Sequence, residues 1–164
     1  MNDFQITGAM RRLELMRRIR DRKLLLNCGL HPGQPPIVGF VDKHPGCSQK
    51  DVATELDISA ASAASSIKRL EKAGMIVRKQ DETDTRKNLL FVTALGHECQ
   101  QKAEQGFTGL NRAMLSGIEE NELETYKKVC EKMFENLADE STRNLNICRL
   151  HQAADDILKN KDGE

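Results

Sequence analysis

A change in the spacing of apolar residues at Gly74 is the feature that most constrains the fold of this sequence. Before Gly74, the apolar residues Ala63, Ile67 and Leu70 recur at steps of three and four, which predicts a helix with one buried side. After it, residues 75–79 and 88–92 change to the alternating period of β-strands, with a polar turn between them. Glycine is the residue expected at a left-handed helix end. The chain is therefore expected to pass directly from a helix into a β-hairpin.

A second, shorter helix is predicted just before that helix. Ser48 followed three residues later by Asp51 has the spacing of a capping box, in which side chains bond the first N–H groups of a helix. Val52 and Leu56 supply its buried side, and Ser59 is the expected N-cap of the next helix. Helix, turn, helix and hairpin in this order predict a winged helix-turn-helix.

The rest of the chain has mostly helical spacing. Helices are predicted at about residues 3–26, after the proline-rich turn at 31–36, from Thr93 towards Met114, at 119–137 and at about 142–158. The helix at 119–137 has a coiled-coil stripe of Leu123, Tyr126, Cys130, Met133 and Leu137, in which Cys130 is expected to be core. The predicted fold is mainly α with a small two- or three-stranded β-wing, organised as residues 1–30, 31–97 and 98–164.

Charge is unevenly distributed along the chain although its sum is zero. The sequence has 25 basic and 25 acidic side chains. Residues 1–30 carry a net +4, residues 31–58 a net −2, residues 59–97 a net +3 and residues 98–164 a net −5. A neutral sum would argue against a nucleic-acid partner, but one basic stretch coincides with the second helix and the hairpin.

The helix that follows Ser59 has the composition of a DNA-reading helix. Its small side chains would let the backbone approach the floor of a major groove, where hydroxyl groups can bond bases or phosphates. Basic residues follow and would neutralise phosphates. The predicted DNA contacts of this helix are Ser59, Ala60, Ala61, Ser62, Ser65, Ser66, Lys68 and Arg69.

Two further groups of predicted DNA contacts flank this helix. Ser48 and Gln49 are expected to touch phosphate at a helix N-terminus. Arg86 and Lys87 at the hairpin tip are expected to reach the minor groove or the DNA backbone, with Asp84 holding the arginine in place. Taken singly, a Ser/Ala-rich helix is more often a packed internal helix, and a charged turn is usually only solvated. Their occurrence together in this order favours DNA binding.

A known pattern of residues runs through about Leu30 to Glu98. It comprises Gly33, Gln34, residues 48–53, Leu56, Ile58, Ser59, residues 69–72, Gly74, Arg78, Asp84, Arg86, Thr93, Leu95 and Gly96. In these residues the chain resembles the MarR family of bacterial transcriptional regulators. The resemblance implies a homodimer paired through residues 1–30 and 98–164, with a DNA-binding domain at 31–97 on each half-site of pseudo-palindromic DNA. It also implies repression that a small, often phenolic or anionic, ligand relieves.

The sequence departs from the family pattern at the wing and in the reading helix. Thr83 stands where family wings often carry an arginine, so this wing has one of the family's basic residues fewer. Ala63 and Ser65 stand where relatives often have larger or basic residues. The operator of a relative therefore does not transfer to this chain.

Enzymatic chemistry finds little support in the sequence. The four histidines lie in separate segments, and no catalytic triad, nucleophile elbow or Gly-rich phosphate loop is present. We expect no enzyme activity and no cofactor other than a small-molecule effector.

The cysteines leave a redox- or metal-responsive version of the regulator open. Isolated thiol/imidazole pairs occur at Cys28 and His31, at His97 and Cys99, and at Cys148 and His151, without the second pair of a zinc site. Cys28 and Cys47 lie near predicted helix ends, where a thiol pKa can be depressed, and are the candidates for oxidant sensing. The alternative of another class is a winged helix that binds a protein instead of DNA, which should expose apolar residues on its recognition face.

The sequence also indicates a compartment. No window approaches the ~20 consecutive apolar residues that span a bilayer, and the N-terminus lacks the layout of a secretory signal. Five cysteines at irregular spacings do not form a disulfide framework. A cytoplasmic protein with free thiols and no membrane partner is expected.

Overall fold

The computed structural model describes residues 2–157 except 82–83, 85–87, 148, 151–152 and 155–156. Its elements are α1 (Asp3–Asn27), α2 (Gln34–Lys43), α3 (Gln49–Glu55), α4 (Ala60–Lys72), β1 (Ile76–Gln80), β2 (Asn88–Val92), α5 (Ala94–Leu115) and α6 (Glu120–Leu137). The predicted mainly helical winged helix-turn-helix is confirmed.

Local capping signals fix where the helices of the winged region begin and end. Ser48, Ser59 and Thr93 each occupy an N-cap and accept a hydrogen bond from the third residue of the helix that follows. Gly74 follows the C-cap of α4 directly and has a φ of 71°. Residues with a Cβ rarely adopt this backbone conformation. The sequence predicted each of these positions.

The hydrophobic core lies where α2, α3 and α4 pack against the hairpin. Its largest fully buried side chains are Leu30, Ile37, Ile67, Leu70, Ile76, Leu90, Val38, Val41 and Val52. The stripe predicted for α4 is confirmed, because Ala63, Ile67 and Leu70 are all buried. α4 therefore has a fixed rotation about its axis, with its other side turned outward.

The wing is a two-stranded antiparallel sheet. Ile76 pairs with Val92 at its base, and Gln80 pairs with Asn88 at its outer end. A third strand is reduced to one bridge, in which the N–H of Leu90 donates to the carbonyl of Cys47 at 2.9 Å. This bridge attaches the hairpin to the segment that leads into α3.

Two glycines allow α5 to join the outer helix to the winged region. A Cβ added at Gly96 would lie 2.2 Å from the Met75 carbonyl oxygen, and one at Gly106 would lie 2.2 Å from Leu24 Cδ1. α5 therefore touches the base of the wing near its start and α1 in its middle. The helix is continuous through Gly106 and Gly109.

The C-terminal part differs from the sequence predictions in two ways. No residue of α6 is buried within the single chain, and Cys130 is only half-buried, so its assignment to a core was wrong for one chain alone. The last helix does not begin at Thr142, because Thr142 and Ser141 donate their hydroxyl groups to Asp139 and form a turn. Helical residues begin at Ile147, after Asn146.

Candidate nucleic-acid interface

The N-terminus of α3 is closed by the predicted capping box. The Ser48 N–H and hydroxyl both donate to Asp51 Oδ2 at 2.8 Å, while the Asp51 N–H donates to Ser48 Oγ at 3.2 Å. These bonds from Ser48 lower the pKa of the Asp51 carboxyl. The hydroxyl of Ser48 is therefore engaged with a carboxylate, and its predicted phosphate contact would have to share that hydroxyl with Asp51.

Gln49 belongs to a side-chain network that the sequence prediction missed. Arg78 of β1 donates from Nε to Glu71 Oε1 at 2.7 Å and from Nη2 to Gln49 Oε1 at 3.2 Å. Glu71 lies on α4 and Gln49 on α3, so one guanidinium connects both helices to the wing. Arg78 was singled out only as part of the family pattern, and no local spacing predicts its two partners. Its position fixes α4 relative to the hairpin.

The outward side of α4 carries most of the predicted reading residues. Its N-cap Ser59 donates its hydroxyl to Ser62 Oγ at 2.8 Å, in addition to accepting from the Ser62 N–H. The exposed residues of α4 are Ala60, Ala61, Ser62, Ser65, Lys68, Arg69 and Lys72, whereas Ser59 and Ser66 are half-buried. None of the exposed residues of α4 is a large apolar side chain. This is a small, polar and basic face rather than a hydrophobic one.

The wing contributes basic side chains along β1. Arg78 and Lys79 are adjacent there, and the Lys79 ammonium lies 5.0 Å from the centre of the Phe91 ring, within reach of a cation–π contact. Asp84 is half-buried, and its N–H donates to Asp81 Oδ1 at 3.2 Å. The predicted contacts Arg86 and Lys87 lie outside the described residues.

The thiols that were candidates for oxidant sensing do not have the surroundings of reactive cysteines. Cys28 is buried and caps the C-terminus of α1 rather than the N-terminus of a helix. Burial and the neighbouring Asp51 raise the pKa of the Cys47 thiol. The prediction that these two cysteines lie near helix ends is correct. The pKa of Cys47 is raised rather than depressed. Cys28 lies at a helix C-terminus, whereas reactive thiols are found at helix N-termini.

The part of the chain that the structure describes contains no cluster of three or more His, Cys, Asp or Glu side chains arranged to hold a metal ion. The described helices include none that is both long enough and apolar enough to cross a membrane.

Comparison with known proteins identifies the winged module. Residues 29–87 match the model of the MarR family. The winged module is therefore similar in sequence to this family. The chain is 32% identical over 94 residues to the HTH-type transcriptional regulator BilQ of Clostridium symbiosum, a match that covers 57% of this chain and 65% of that protein. It is 37% identical over 59 residues to BilQ of Clostridioides difficile, with 36% and 40% covered. The chain thus spans less than two thirds of either curated relative, and both are named as regulators rather than enzymes.

Solved MarR-type structures extend the likeness to the outer helices. The heme sensor protein PefR from Streptococcus agalactiae, in complex with heme, superposes with a TM-score of 0.68 and 28% identity over 85% of this chain and 97% of that one. The S. aureus MepR–DNA complex superposes with a TM-score of 0.66 over 80% of this chain and 99% of that one, at 22% identity. At that identity the MepR match shows the fold alone. The resemblance to the MarR family that the sequence pattern indicated is confirmed.

Proposed function

We propose that this chain is a cytoplasmic DNA-binding transcriptional regulator that acts as a homodimeric repressor. The observation that carries the proposal is the outward face of α4, which is small, polar and basic over its exposed length and is held in a fixed orientation by the Arg78 bonds to Glu71 and Gln49. A protein-binding recognition face would expose large apolar residues, and α4 exposes none. The names of the BilQ relatives support the same assignment.

The proposed contacts divide into a reading set and a positioning set. Residues Ala60, Ala61, Ser62 and Ser65 would enter the major groove, where short side chains permit a close approach of the helix backbone. Lys68 and Arg69, about one turn beyond Ser65 on α4, would meet phosphates beside the groove. Ser48, Gln49, Ser59 and Ser66 would orient the module at the DNA backbone, and Asp84, Arg86 and Lys87 would do so through the wing.

The proposed homodimer is supported by the apolar surface of the outer helices. On α1, Phe4, Leu13 and Met16 are 87%, 44% and 58% exposed, and on α6 Tyr126 and Leu137 are 53% and 87% exposed. Side chains of this size at helical spacing need a partner, since monomers rarely expose large contiguous apolar patches. The charges are also complementary, because α1 has seven basic and three acidic residues, whereas α6 has three basic and five acidic residues. We propose residues 1–30 and 98–164 as the dimerisation elements, with residues 31–97 binding DNA.

A small ligand is proposed to relieve repression from the junction of α2 and α5. Gln100 of α5 is 8% exposed, and its Oε1 has no hydrogen-bond partner, although its Nε2 donates to Glu104 at 2.9 Å. A buried acceptor without a donor costs free energy that a ligand N–H or O–H would recover. Its Nε2 also lies 3.2 Å from where a Cβ would be at Gly39, so the amide faces α2. PefR, which was solved with heme, is one example of a related fold that senses a small molecule.

A salt-dependent binding titration tests the proposal. The labelled duplex is the promoter region of the protein's own gene, and affinity is measured by anisotropy at several salt concentrations beside an unrelated duplex of equal length. We expect tighter binding to the promoter and a linear fall of log affinity with log salt. The Arg86→Ala variant should bind more weakly, with a slope smaller by about 0.9 for each phosphate that the variant no longer neutralises. Lys43→Ala, which removes an exposed base from the last turn of α2 outside the proposed DNA contacts, serves as the control and should keep the slope.

Two results would count against specific parts of this proposal. An Arg86→Ala variant with unchanged affinity and slope would remove the wing from the DNA interface. Absence of salt-dependent binding to either duplex would refute the assignment to DNA and favour a protein partner for the winged module.

A further inference from the structure

The segment after α6 returns to the helix-turn-helix. We call its described residues between 139 and 157 the C-terminal arm. Its last helix follows Asn146, whose Oδ1 accepts a hydrogen bond from the Arg149 N–H at 2.9 Å. Within the first turn of the arm's helix, the Arg149 guanidinium pairs with the carboxylate of Asp57. This pair joins two parts of the chain separated by more than half of its length.

Asp57 lies in the tight turn between α3 and α4, and its position there is determined by the backbone. Its φ is 51°, in the left-handed region that aspartate tolerates better than most residues. The Asp57 N–H donates to the Thr54 carbonyl at 3.2 Å, and the Ile58 N–H donates to the Ala53 carbonyl at 3.0 Å. The hydrogen bond from Arg149 lowers the pKa of Asp57, so the carboxylate is charged at neutral pH.

Arg149 also forms one wall of a groove on the helix-turn-helix. The groove has a volume of about 500 Å³ and is bordered by Gln49 and Lys50 at the start of α3, by Asp57 and Ile58 in the turn, and by Ala60 at the start of α4. Gln49 and Ala60 belong to the proposed DNA contacts. The arm therefore lies beside the helix starts that would have to approach the DNA backbone.

We propose that the C-terminal arm is an autoinhibitory clasp, which covers the α3–α4 face through the Arg149–Asp57 pair and is displaced when DNA binds. The proposal rests on the proposed function, since it concerns the regulation of the same surface. Steric exclusion is the deciding effect: the guanidinium is already bound to a carboxylate, and Arg149 borders the same groove as Gln49 and Ala60. The apparent DNA affinity is then the intrinsic affinity multiplied by the fraction of molecules in which the face is open.

The strength of the contact suits a reversible device. Both side chains of the pair remain 42% exposed, and exposed ion pairs contribute little to stability. Phosphates that approach the basic residues of α4 can therefore compete with the arm. A ligand or partner that holds the arm away would increase DNA affinity without touching α4.

A double-mutant cycle on the full chain tests the clasp. DNA affinity is measured for the wild type, Arg149→Ala, Asp57→Asn and the double variant, since asparagine also tolerates the left-handed conformation. We expect Arg149→Ala to bind DNA about two to five times more tightly, as loss of an exposed ion pair allows. In the Asp57→Asn background, Arg149→Ala should have no further effect. Arg143→Ala is the matched control, because its guanidinium pairs with Glu135 at 3.0 Å away from the helix-turn-helix.

Hydrogen exchange without DNA supplies a second readout. If the clasp forms, amides of residues 49–60 exchange faster in Arg149→Ala than in the wild type, and at the wild-type rate in Arg143→Ala. Two results would overturn the clasp. One is unchanged exchange in Arg149→Ala, and the other is a DNA affinity of Arg149→Ala that equals or falls below that of the wild type. Either result leaves the proposed function intact as long as the wild type binds DNA. Failure of every form to bind DNA at low salt would instead refute the proposed function, and the regulatory role with it.

Discussion

Gly96 is the position at which a single added methyl group should most disturb the joint between wing and outer helices. It is the third residue of α5, and its N–H donates to Thr93 Oγ1 at 3.1 Å. Thr93 in turn donates its hydroxyl to the Gly74 carbonyl at 2.7 Å and its N–H to the Met75 carbonyl at 3.0 Å. The end of α4, the start of β1 and the start of α5 therefore meet within one hydrogen-bonded unit.

The expected cost of Gly96→Ala follows from this geometry. The new Cβ would lie 2.2 Å from the Met75 carbonyl oxygen and 2.9 Å from Val92 Cγ1. The first atom is backbone and cannot rotate away, so α5 and the backbone at Met75 must separate by more than about 1 Å to reach ordinary contact distance. Overpacking of this kind costs about 1–3 kcal/mol, and the stretched Thr93 bonds place the cost in the upper half of that range. The melting temperature should fall by about 5–10 °C for a chain of this size.

Thermal unfolding followed by circular dichroism measures this effect, and Gly109→Ala is the matched control. Gly109 lies on the same helix with no atom within 4 Å of the added Cβ, so alanine should stabilise the chain by about 0.5–1 kcal/mol through helix propensity. The two substitutions are chemically identical and are expected to have opposite signs. A Gly96→Ala variant that melts at or above the wild-type temperature would refute the close approach. Equal destabilisation by both variants would show that the loss of stability has a cause other than that close approach.

Three further predictions concern the core, a cap and a charged turn. Ile67→Ala removes a fully buried side chain of α4 and should destabilise the chain by about 2–5 kcal/mol in urea unfolding, whereas a decrease below about 1 kcal/mol would place Ile67 outside the core. Ser48→Ala breaks the capping box with Asp51 and should cost about 1 kcal/mol; an unchanged urea midpoint would contradict this. The hydroxyl groups around Asp139 lower its pKa to about 2, below the value in the unfolded chain. The charged Asp139 carboxylate therefore stabilises the folded chain above about pH 4, and this contribution is lost as the pH falls towards 2. The difference in melting temperature between wild type and Asp139→Asn should therefore shrink over that interval, and a constant difference would exclude the charge as its cause.

The features that could be predicted from the sequence are those determined within a few residues. The capping box at Ser48 and Asp51, the N-caps Ser59 and Thr93 and the left-handed Gly74 involve partners at most four residues apart, and all were found. Local hydrogen bonds of this type leave a spacing signature because the helix itself fixes the distance between partners.

The features that could not be predicted depend on side chains brought together by the fold. Arg78 meets Gln49 across 29 residues, and Arg149 meets Asp57 across a larger separation, with no periodic signal at either site. Cys130 illustrates a second limit. Its heptad spacing correctly marks an apolar side of α6, but periodicity does not tell whether the covering partner belongs to the same chain.

The contacts of α5 explain why the outer helices and the reading helix would act together. α5 lies against Leu24 of α1 at Gly106 and against the base of the wing at Gly96, and the segment between these glycines is one unbroken helix. Packed helices of this kind transmit displacement as nearly rigid bodies. A change in the pairing of α1 in the proposed dimer would therefore move the base of β1, and through Arg78 it would move α4. The modest net charge of +3 on residues 59–97 makes such coupling consequential, because a single module would make few phosphate contacts and high affinity would require two correctly spaced modules.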